Sequence, residues 1–386
     1  MDRQRIAVAA AGFATFVNLY APQALFPTLA DAFHASVART GLTVTAALVA
    51  VALVAPFVGG ISDATGRRAL IVAASFTLAV PTALAASAPN LDLLILCRFA
   101  QGLVMPFIFT VTVAYIADEY PGAEGVKATG SYVAGTIVGG FSGRFLAGWT
   151  GEYLGWRASF AILAVLTLAA ATLIAAWLRR ERRFRPVTGW HGTLAGFALH
   201  LHSPKVIATC GVGFAVLFSI VAAFTYVNLK LAAPPYGLGP AQLGTVFAVY
   251  LLSAAATPVA ARMTLRVGRR WAALISGGLA IAGLLLTLAA SLPLIVAGLA
   301  LLAVGVLNEQ TLSIGYVAVA GERARSTAVG LYVTCYYIGG SLGGIAPAWI
   351  WSHAGWPGCV ALIVVVQITA IAVAWRVWPR GRVALR

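Results

Sequence analysis

Gly59-Gly60-Ile61-Ser62-Asp63-Ala64-Thr65-Gly66-Arg67-Arg68 is a short polar turn set between two long apolar stretches, 38–61 and 68–88. Its glycines allow a tight connection. The Asp63 carboxylate suits a neighbouring helix N-terminus, and the two arginines suit acids across the loop. Each flanking stretch is long enough to cross a bilayer, so the turn reads as the tip of a membrane hairpin. It is echoed later in the chain by Gly268-Arg269-Arg270, where the position matching Asp63 is Leu265.

Outside this turn the chain is poor in charge. Of 386 residues, 61% are hydrophobic and only 10% charged, against roughly 25% charged in a soluble domain. So few charges cannot cover a water-soluble fold of this size. The chain therefore reads as a polytopic membrane protein, with backbone polar groups satisfied inside helices. Twelve spans of about 20–25 residues take up roughly 240–300 residues. Short loops remain, with no separate soluble domain.

The spans are expected at 6–30, 38–61, 68–88, 91–118, 126–149, 156–178, 205–231, 240–262, 271–290, 292–317, 326–350 and 356–376. The 26 Lys and Arg outnumber the 11 Asp and Glu, a formal +15. The excess collects in alternate loops: Arg3 and Arg5, Arg67 and Arg68, Lys127, 179–205, 262–270, Arg323 and Arg325, and 376–386. Positive loops mark the cytoplasmic side, so both termini are expected there and the number of spans is even. The basic runs are not interleaved with aromatics on a polar domain, so nucleic acid is not an expected partner. The first apolar stretch reads as an inserted helix rather than a cleaved signal.

The longest polar segment, 179–204, reads as a cytoplasmic connector lying partly on the membrane surface. It separates a bundle of six helices, 1–178, from a second, 205–386. A repeat supports the division. Gly130, Tyr132, Val133, Gly139, Gly140, Gly143, Trp149, Gly155 and Trp156 recur in register as Gly330, Tyr332, Val333, Gly339, Gly340, Gly343, Trp349, Gly355 and Trp356. A second echo pairs Thr15-Phe16-Val17-Asn18-Leu19 with Thr225-Tyr226-Val227-Asn228-Leu229. The expected fold is an all-α membrane protein, two six-helix bundles related by a pseudo-two-fold axis. Parallel repeats of this kind are a transporter architecture.

The 59–68 turn resembles the signature loop of the major facilitator superfamily. Arg98-Phe99-Ala100-Gln101-Gly102, with Pro106 following, is similar to that family's second motif. Gly135, Gly139, Gly140, Gly143 and Arg144 resemble its antiporter motif, departing from it where Gly140 replaces a proline and Arg144 a glycine. The whole chain resembles the twelve-span drug/proton antiporter group, and within it poorly characterised bacterial inner-membrane efflux proteins. The resemblance implies a latch at the cytoplasmic side made of Gly59, Asp63, Gly66, Arg67 and Arg68, with Asp118 or Glu119 as partners. It also implies proton coupling at Arg98, the alternative being that this arginine snorkels to the outer surface.

Glu309, between Asn308 and Gln310, is the one carboxylate placed well inside a span. A charged carboxylate there costs several kcal/mol. A group that takes up a proton from one phase and releases it to the other would couple transport to protons; a structural pair with a buried cation is the alternative. Asn18 and Asn228 take matching places in the second echo, on helices that line the central cavity in the resembled family. Tyr20 and Lys230 follow as the next matching pair. Asn18, Tyr20, Tyr226, Asn228, Lys230, Arg144, Asn308 and Gln310 are thus the candidate substrate contacts. Helix packing is the competing reading for the tyrosines, and the outer headgroups for Lys230.

His191, His200 and His202 have no convincing third ligand, so no metal is expected. Cys97, Cys210, Cys335 and Cys359 are scattered and read as packing residues. No phosphate-binding loop or hydrolase signature appears, so an enzyme is not expected. The expected activity is export of a small amphipathic organic molecule in exchange for protons, by alternating access. It needs no cofactor beyond the proton gradient, and the chain is expected as a monomer in the bacterial inner membrane. Uptake of a small organic anion, favoured by Arg98, Arg144 and Lys230, and a non-transporting sensor of the same fold are the alternatives.

Overall fold

A computed structural model describes residues 2–120, 122–181, 199–253, 266–322 and 325–379; positions 63, 122, 123, 126, 318, 325 and 326 are described by backbone alone. Most of the 179–204 connector with His191, the second half of the eighth span, Leu265, Arg323 and the last seven residues lie outside the described residues. So does the side chain of Asp63.

The helices are α1 (Arg3–Leu19), α2 (Phe26–Ala32), α3 (Val37–Thr65), α4 (Arg67–Ala86), α5 (Leu91–Glu119), α6 (Gly122–Tyr153), α7 (Trp156–Trp177), α8 (Pro204–Ala232), α9 (Pro240–Val246), α10 (Arg269–Leu286), α11 (Leu292–Ala320), α12 (Arg325–Ile345) and α13 (Pro347–Val377). Among the described residues, ten helical segments are long and apolar enough to cross a membrane. The fifth span is α6, whose glycines dilute its hydropathy. Three expected spans are not single helices; one of them, 326–350, is split by a turn at Ala346 between α12 and α13. The first, 6–30, breaks after Leu19 into a 3₁₀ turn, Ala21–Gln23, and restarts as α2. Pro22 in that turn lacks an N–H and so favours the break. The eighth, 240–262, is interrupted by a turn at 247–248.

The chain divides into two compact units. One is Met1–Trp190 with Leu238–Phe247; the other is His191–Gly237 with Ala248–Arg386. The expected boundary puts α9 in the second bundle, whereas α9 packs with the first unit. Glu152 at the end of α6 accepts from Ala241 N at 2.8 Å, one of the free N–H groups at the start of α9.

Within the first unit, α1 lies directly on the glycines of α6. A Cβ at Gly139 would stand 2.7 Å from Phe13 O, and one at Gly143 would overlap Val17 O. Backbones approach this closely only where side chains are absent. Within the second unit α8 and α12 repeat the arrangement, with Gly339 against Phe214 O and Gly343 against Phe218 O. The repeated Gly-Trp pairs are also explained. Gly155 caps α7 at φ 85°, and Gly355 interrupts α13 at φ 57°. Both conformations favour glycine. The tryptophans that follow are buried: Trp156 joins an apolar core with Leu25, Leu29, Leu94 and Phe160.

This register corrects the second sequence echo. Phe214 stands to Gly339 as Phe13 stands to Gly139, and Phe218 to Gly343 as Val17 to Gly143. The counterpart of Asn18 is therefore Ser219, not Asn228. Thr15–Leu19 and Thr225–Leu229 share residue types but not a place in the fold.

Candidate functional site

The cytoplasmic turn is built from three elements of the first unit. Gly66, at φ 92°, ends α3 and starts α4. Arg67 Nη2 pairs with Asp118 Oδ2 at the end of α5, 2.8 Å away. Arg68 turns to the end of α7, donating to Leu178 O at 2.6 Å and Ala175 O at 2.8 Å. These are carbonyls that a helix C-terminus leaves unpaired. Glu181 completes the turn: its Oε1 accepts from Arg67 N at 2.6 Å and Arg68 N at 3.2 Å, capping the start of α4. Sequence reasoning missed Glu181, although it is the lone acid in the run 179–185 and so was a visible signal. Glu119 is half-buried beside Asp118, and Gly59 is exposed on α3 with open space around it.

The second unit carries a variant of this turn. Arg270 donates to Trp378 O and, at 3.2 Å, to Arg376 O, as Arg68 does to the end of α7. Arg269 stands where Arg67 stands, but it lies 4.8 Å above the Tyr316 ring.

Arg98 is fully buried on α5. It donates to Asn18 O at 2.9 Å, Leu19 O at 2.5 Å and Thr43 O at 2.9 Å, and also to Gln101 Oε1. Asn18 and Leu19 are the last residues of α1, so Arg98 ties off the carbonyls freed where α1 breaks. Arg144, also buried, donates to Gln23 Oε1 at 2.8 Å and Gly140 O at 2.7 Å. Its guanidinium lies 4.6 Å from the Tyr20 ring centroid and 4.8 Å from that of Phe247. Of the expected set, Tyr20 and Arg144 are thus brought together. Asn18 is buried, donating to Ala14 O and, at 2.7 Å, to Thr167 Oγ1.

In the second unit Tyr226 is buried and its hydroxyl donates to Gly344 O at 3.0 Å, while Asn228 is buried nearby on α8. Lys230 reaches Thr287 O at 2.7 Å, at the C-terminus of α10. Asn308, Glu309 and Gln310 are consecutive on α11, so they point in three directions around the helix. Asn308 is buried and Gln310 half-buried.

Glu309 is 2% exposed. Its carboxyl fits against α10 only because Gly277 has no side chain; a Cβ there would stand 2.6 Å from Oε1 and 2.5 Å from Ile371 on α13. Oε2 is buried with no hydrogen-bond partner among the described residues. Gln367, one turn before Ile371, is its polar neighbour. The Gln367 amide donates to Ser219 Oγ on α8 at 2.9 Å, while its own Oε1 is buried without a partner. Ser313, one turn after Glu309, accepts or donates at 2.7 Å with Tyr332 on α12 and donates to Glu309 O at 2.9 Å. Sequence reasoning missed Gln367 and Ser219. A lone amide in the last apolar span was the available signal.

Among the described residues no three His, Cys, Asp or Glu side chains are grouped for a metal ion, and the four cysteines are free thiols.

Two units of apolar helices built on one repeat, with ionisable residues buried in each of them, define a polytopic membrane transporter. The chain belongs to the Major Facilitator Superfamily, whose sequence profile matches residues 8–233 and 209–385. It is 30% identical over 381 residues to the inner membrane transport protein YnfM of Escherichia coli (strain K12), covering 98% of this chain and 91% of that protein. It is 30% identical over 367 residues to the uncharacterized MFS-type transporter YybF of Bacillus subtilis (strain 168), covering 94% and 90%. In fold it is similar to a bacterial homologue of the human lysosomal transporter Spinster, solved inward-facing and unoccupied. The TM-score is 0.76 at 15% identity, over 97% of this chain and 96% of that one.

Proposed function

We propose that this transporter exports a small amphipathic organic molecule in exchange for protons, with Glu309 as the proton site. The observation that carries the reading is the Glu309 carboxyl itself. It is buried against a glycine and an amide, with no cation paired to it among the described residues. An uncompensated charge in such a place is costly, and a proton removes that cost. Tyr20 and Arg144, an aromatic ring and a cation in contact, supply amphipathic chemistry for a substrate. The chain works as a monomer in a bacterial inner membrane, with both termini cytoplasmic and the proton gradient as its energy source. The Arg67–Asp118 pair acts as a cytoplasmic latch. The anion-uptake reading draws less support, because Arg98 and Lys230 are engaged by backbone carbonyls.

The test is reconstitution in sealed liposomes with a pH-sensitive dye inside. A panel of amphipathic cations, neutral drugs and small organic anions is added under an imposed proton gradient, to wild type and Glu309→Gln. Substrate-triggered proton flux seen only in wild type supports the proposal, and its sign separates antiport from symport. Equal flux in both proteins moves the proton site elsewhere. Binding without flux sinks proton coupling for those compounds.

A further inference from the structure

Two buried oxygens of neighbouring side chains, Glu309 Oε2 and Gln367 Oε1, each lack a hydrogen-bond donor. Leaving both unpaired in a buried site is costly. One proton on Glu309 satisfies both, because a protonated carboxyl donates and an amide oxygen accepts. The other end of the amide is already committed, Nε2 donating to Ser219 Oγ at 2.9 Å.

We propose that Gln367 reads the protonation state of Glu309 and reports it to α8 through Ser219. With Glu309 protonated, Gln367 accepts from the carboxyl and donates to Ser219; the bond to Ser219 is the one present here. When the proton leaves, the carboxylate needs a donor. The amide then turns over, so that Nε2 donates to Glu309 and Oε1 accepts from the Ser219 hydroxyl. A serine serves either arrangement because its hydroxyl both donates and accepts. The amide thus keeps two hydrogen bonds in both states while its direction reverses. Three helices meet in this exchange: α11 carries the proton, α13 the amide and α8 the hydroxyl.

The surroundings leave the amide in control of this carboxyl. From α10 it meets Gly277, with the neutral Ser276 beside it, and from α13 Ile371 and Gln367. From α12 it is faced by Tyr332, whose hydroxyl is held by Ser313, and beyond that by Cys210 of α8. None of these groups is a cation. The first unit has a matching amide and hydroxyl, Asn18 Nδ2 to Thr167 Oγ1 at 2.7 Å, but on exchanged helices. The helix carrying Glu309, Leu292–Ala320, matches Leu91–Glu119 in the first unit, where the place of Glu309 falls to Ile108, so the first unit has the bond without the proton.

The inference rests on the proton-site reading of Glu309, and its test separates the two. Acid-minus-alkaline infrared difference spectra are recorded on the whole protein in liposomes, which needs no substrate. Wild type should show the C=O stretch of a protonated carboxyl, absent in Glu309→Gln. If no band is lost in Glu309→Gln, the proton site itself is wrong. In Gln367→Met, which keeps side-chain length but removes the amide, the band should move to higher wavenumber as its acceptor is lost. An unmoved band overturns the role of Gln367 and leaves Glu309 standing. Should Gln367→Met fail to fold, Gln367→Leu gives the same reading. In wild type the amide bands should change together with the carboxyl band, and this coupled change should vanish in Ser219→Ala; its persistence there overturns the link to α8.

Discussion

Arg67 and Arg269 occupy equivalent positions in the two halves of the repeat, yet they hold different partners. Arg67 pairs with the Asp118 carboxylate at 2.8 Å, and Arg269 rests 4.8 Å above the Tyr316 ring. The first contact is an ion pair open to water, with the Asp118 side chain 37% exposed. The second is a cation over an aromatic face.

An exposed pair of this kind contributes about 0.2–1 kcal/mol, enough to shift a two-state equilibrium by up to about fivefold. Asp118→Asn should therefore lower substrate-driven proton flux by up to about fivefold without loss of folded protein. Arg67→Gln combined with Asp118→Asn should fall no further than Asp118→Asn alone. Initial rates in the liposome assay check this. Additive losses would mean that the two residues act separately.

The glycines of α6 differ in what surrounds them. A methyl at Gly139 would meet Phe13 O at 2.7 Å and Phe13 Cα at 2.9 Å, both backbone. A methyl at Gly140 would meet only Arg144 Nη1, at 3.6 Å. Gly139→Ala should destabilise by about 1–3 kcal/mol through forced separation of α1 and α6. Gly140→Ala should stay within about 0.5 kcal/mol of wild type. Gly339→Ala should behave like Gly139→Ala, because it presses on Phe214 in the same way. Thermal unfolding of the three variants in one detergent decides the matter.

Glu124, at the start of α6, accepts from Lys127 Nζ at 2.8 Å and from Arg5 Nη2 at 2.7 Å. The Lys127 bond first, then the Arg5 bond, holds its carboxyl below the usual range for a glutamate. A lowered folded-state value means that the contribution is present above about pH 4.3, the unfolded value. It is lost as pH falls through the lower folded value. Thermal stability of wild type should drop on acidification through that window more than that of Glu124→Gln. Because the site is exposed, the difference should shrink in high salt. A difference that is independent of salt would place its origin elsewhere.

The hairpin turn, the repeat and the helix ends were legible because glycine, proline and charge act locally. Gly66, Gly155, Gly268 and Gly355 all adopt the positive φ that their places demand. The pairing of Arg67 with Asp118 followed from charge and from the ends of adjacent spans. What lay beyond reading was register between helices. Asn18 matched Asn228 by neighbouring residue types, whereas contact with the glycine ridges matches it to Ser219. Glu309 stood out as a carboxylate among apolar residues. Its neighbour Gln367 belongs to another helix, and only packing brings the two together. The break after Leu19 was hidden for a similar reason: its carbonyls are satisfied by Arg98 from α5.

Arg98 gives the sharpest test of structure against coupling. Its guanidinium meets three carbonyls, two of them the terminal carbonyls of α1, together with Gln101 Oε1, and among the described residues no carboxylate. A planar fork with five donors can serve four acceptors at once; a lysine ammonium has three donors at a single point. Arg98→Lys should therefore leave buried carbonyls unpaired and destabilise the protein by about 2–4 kcal/mol, at roughly 1–3 kcal/mol per lost partner. The loss should appear as lower thermal stability and as faster hydrogen exchange at the end of α1, before any assay of transport. A residue that only relays protons would give the opposite pattern, with stability kept and proton flux lost. Thermal unfolding and proton flux measured on the same Arg98→Lys preparation distinguish the two, and unchanged unfolding would show that Arg98 does not hold the end of α1.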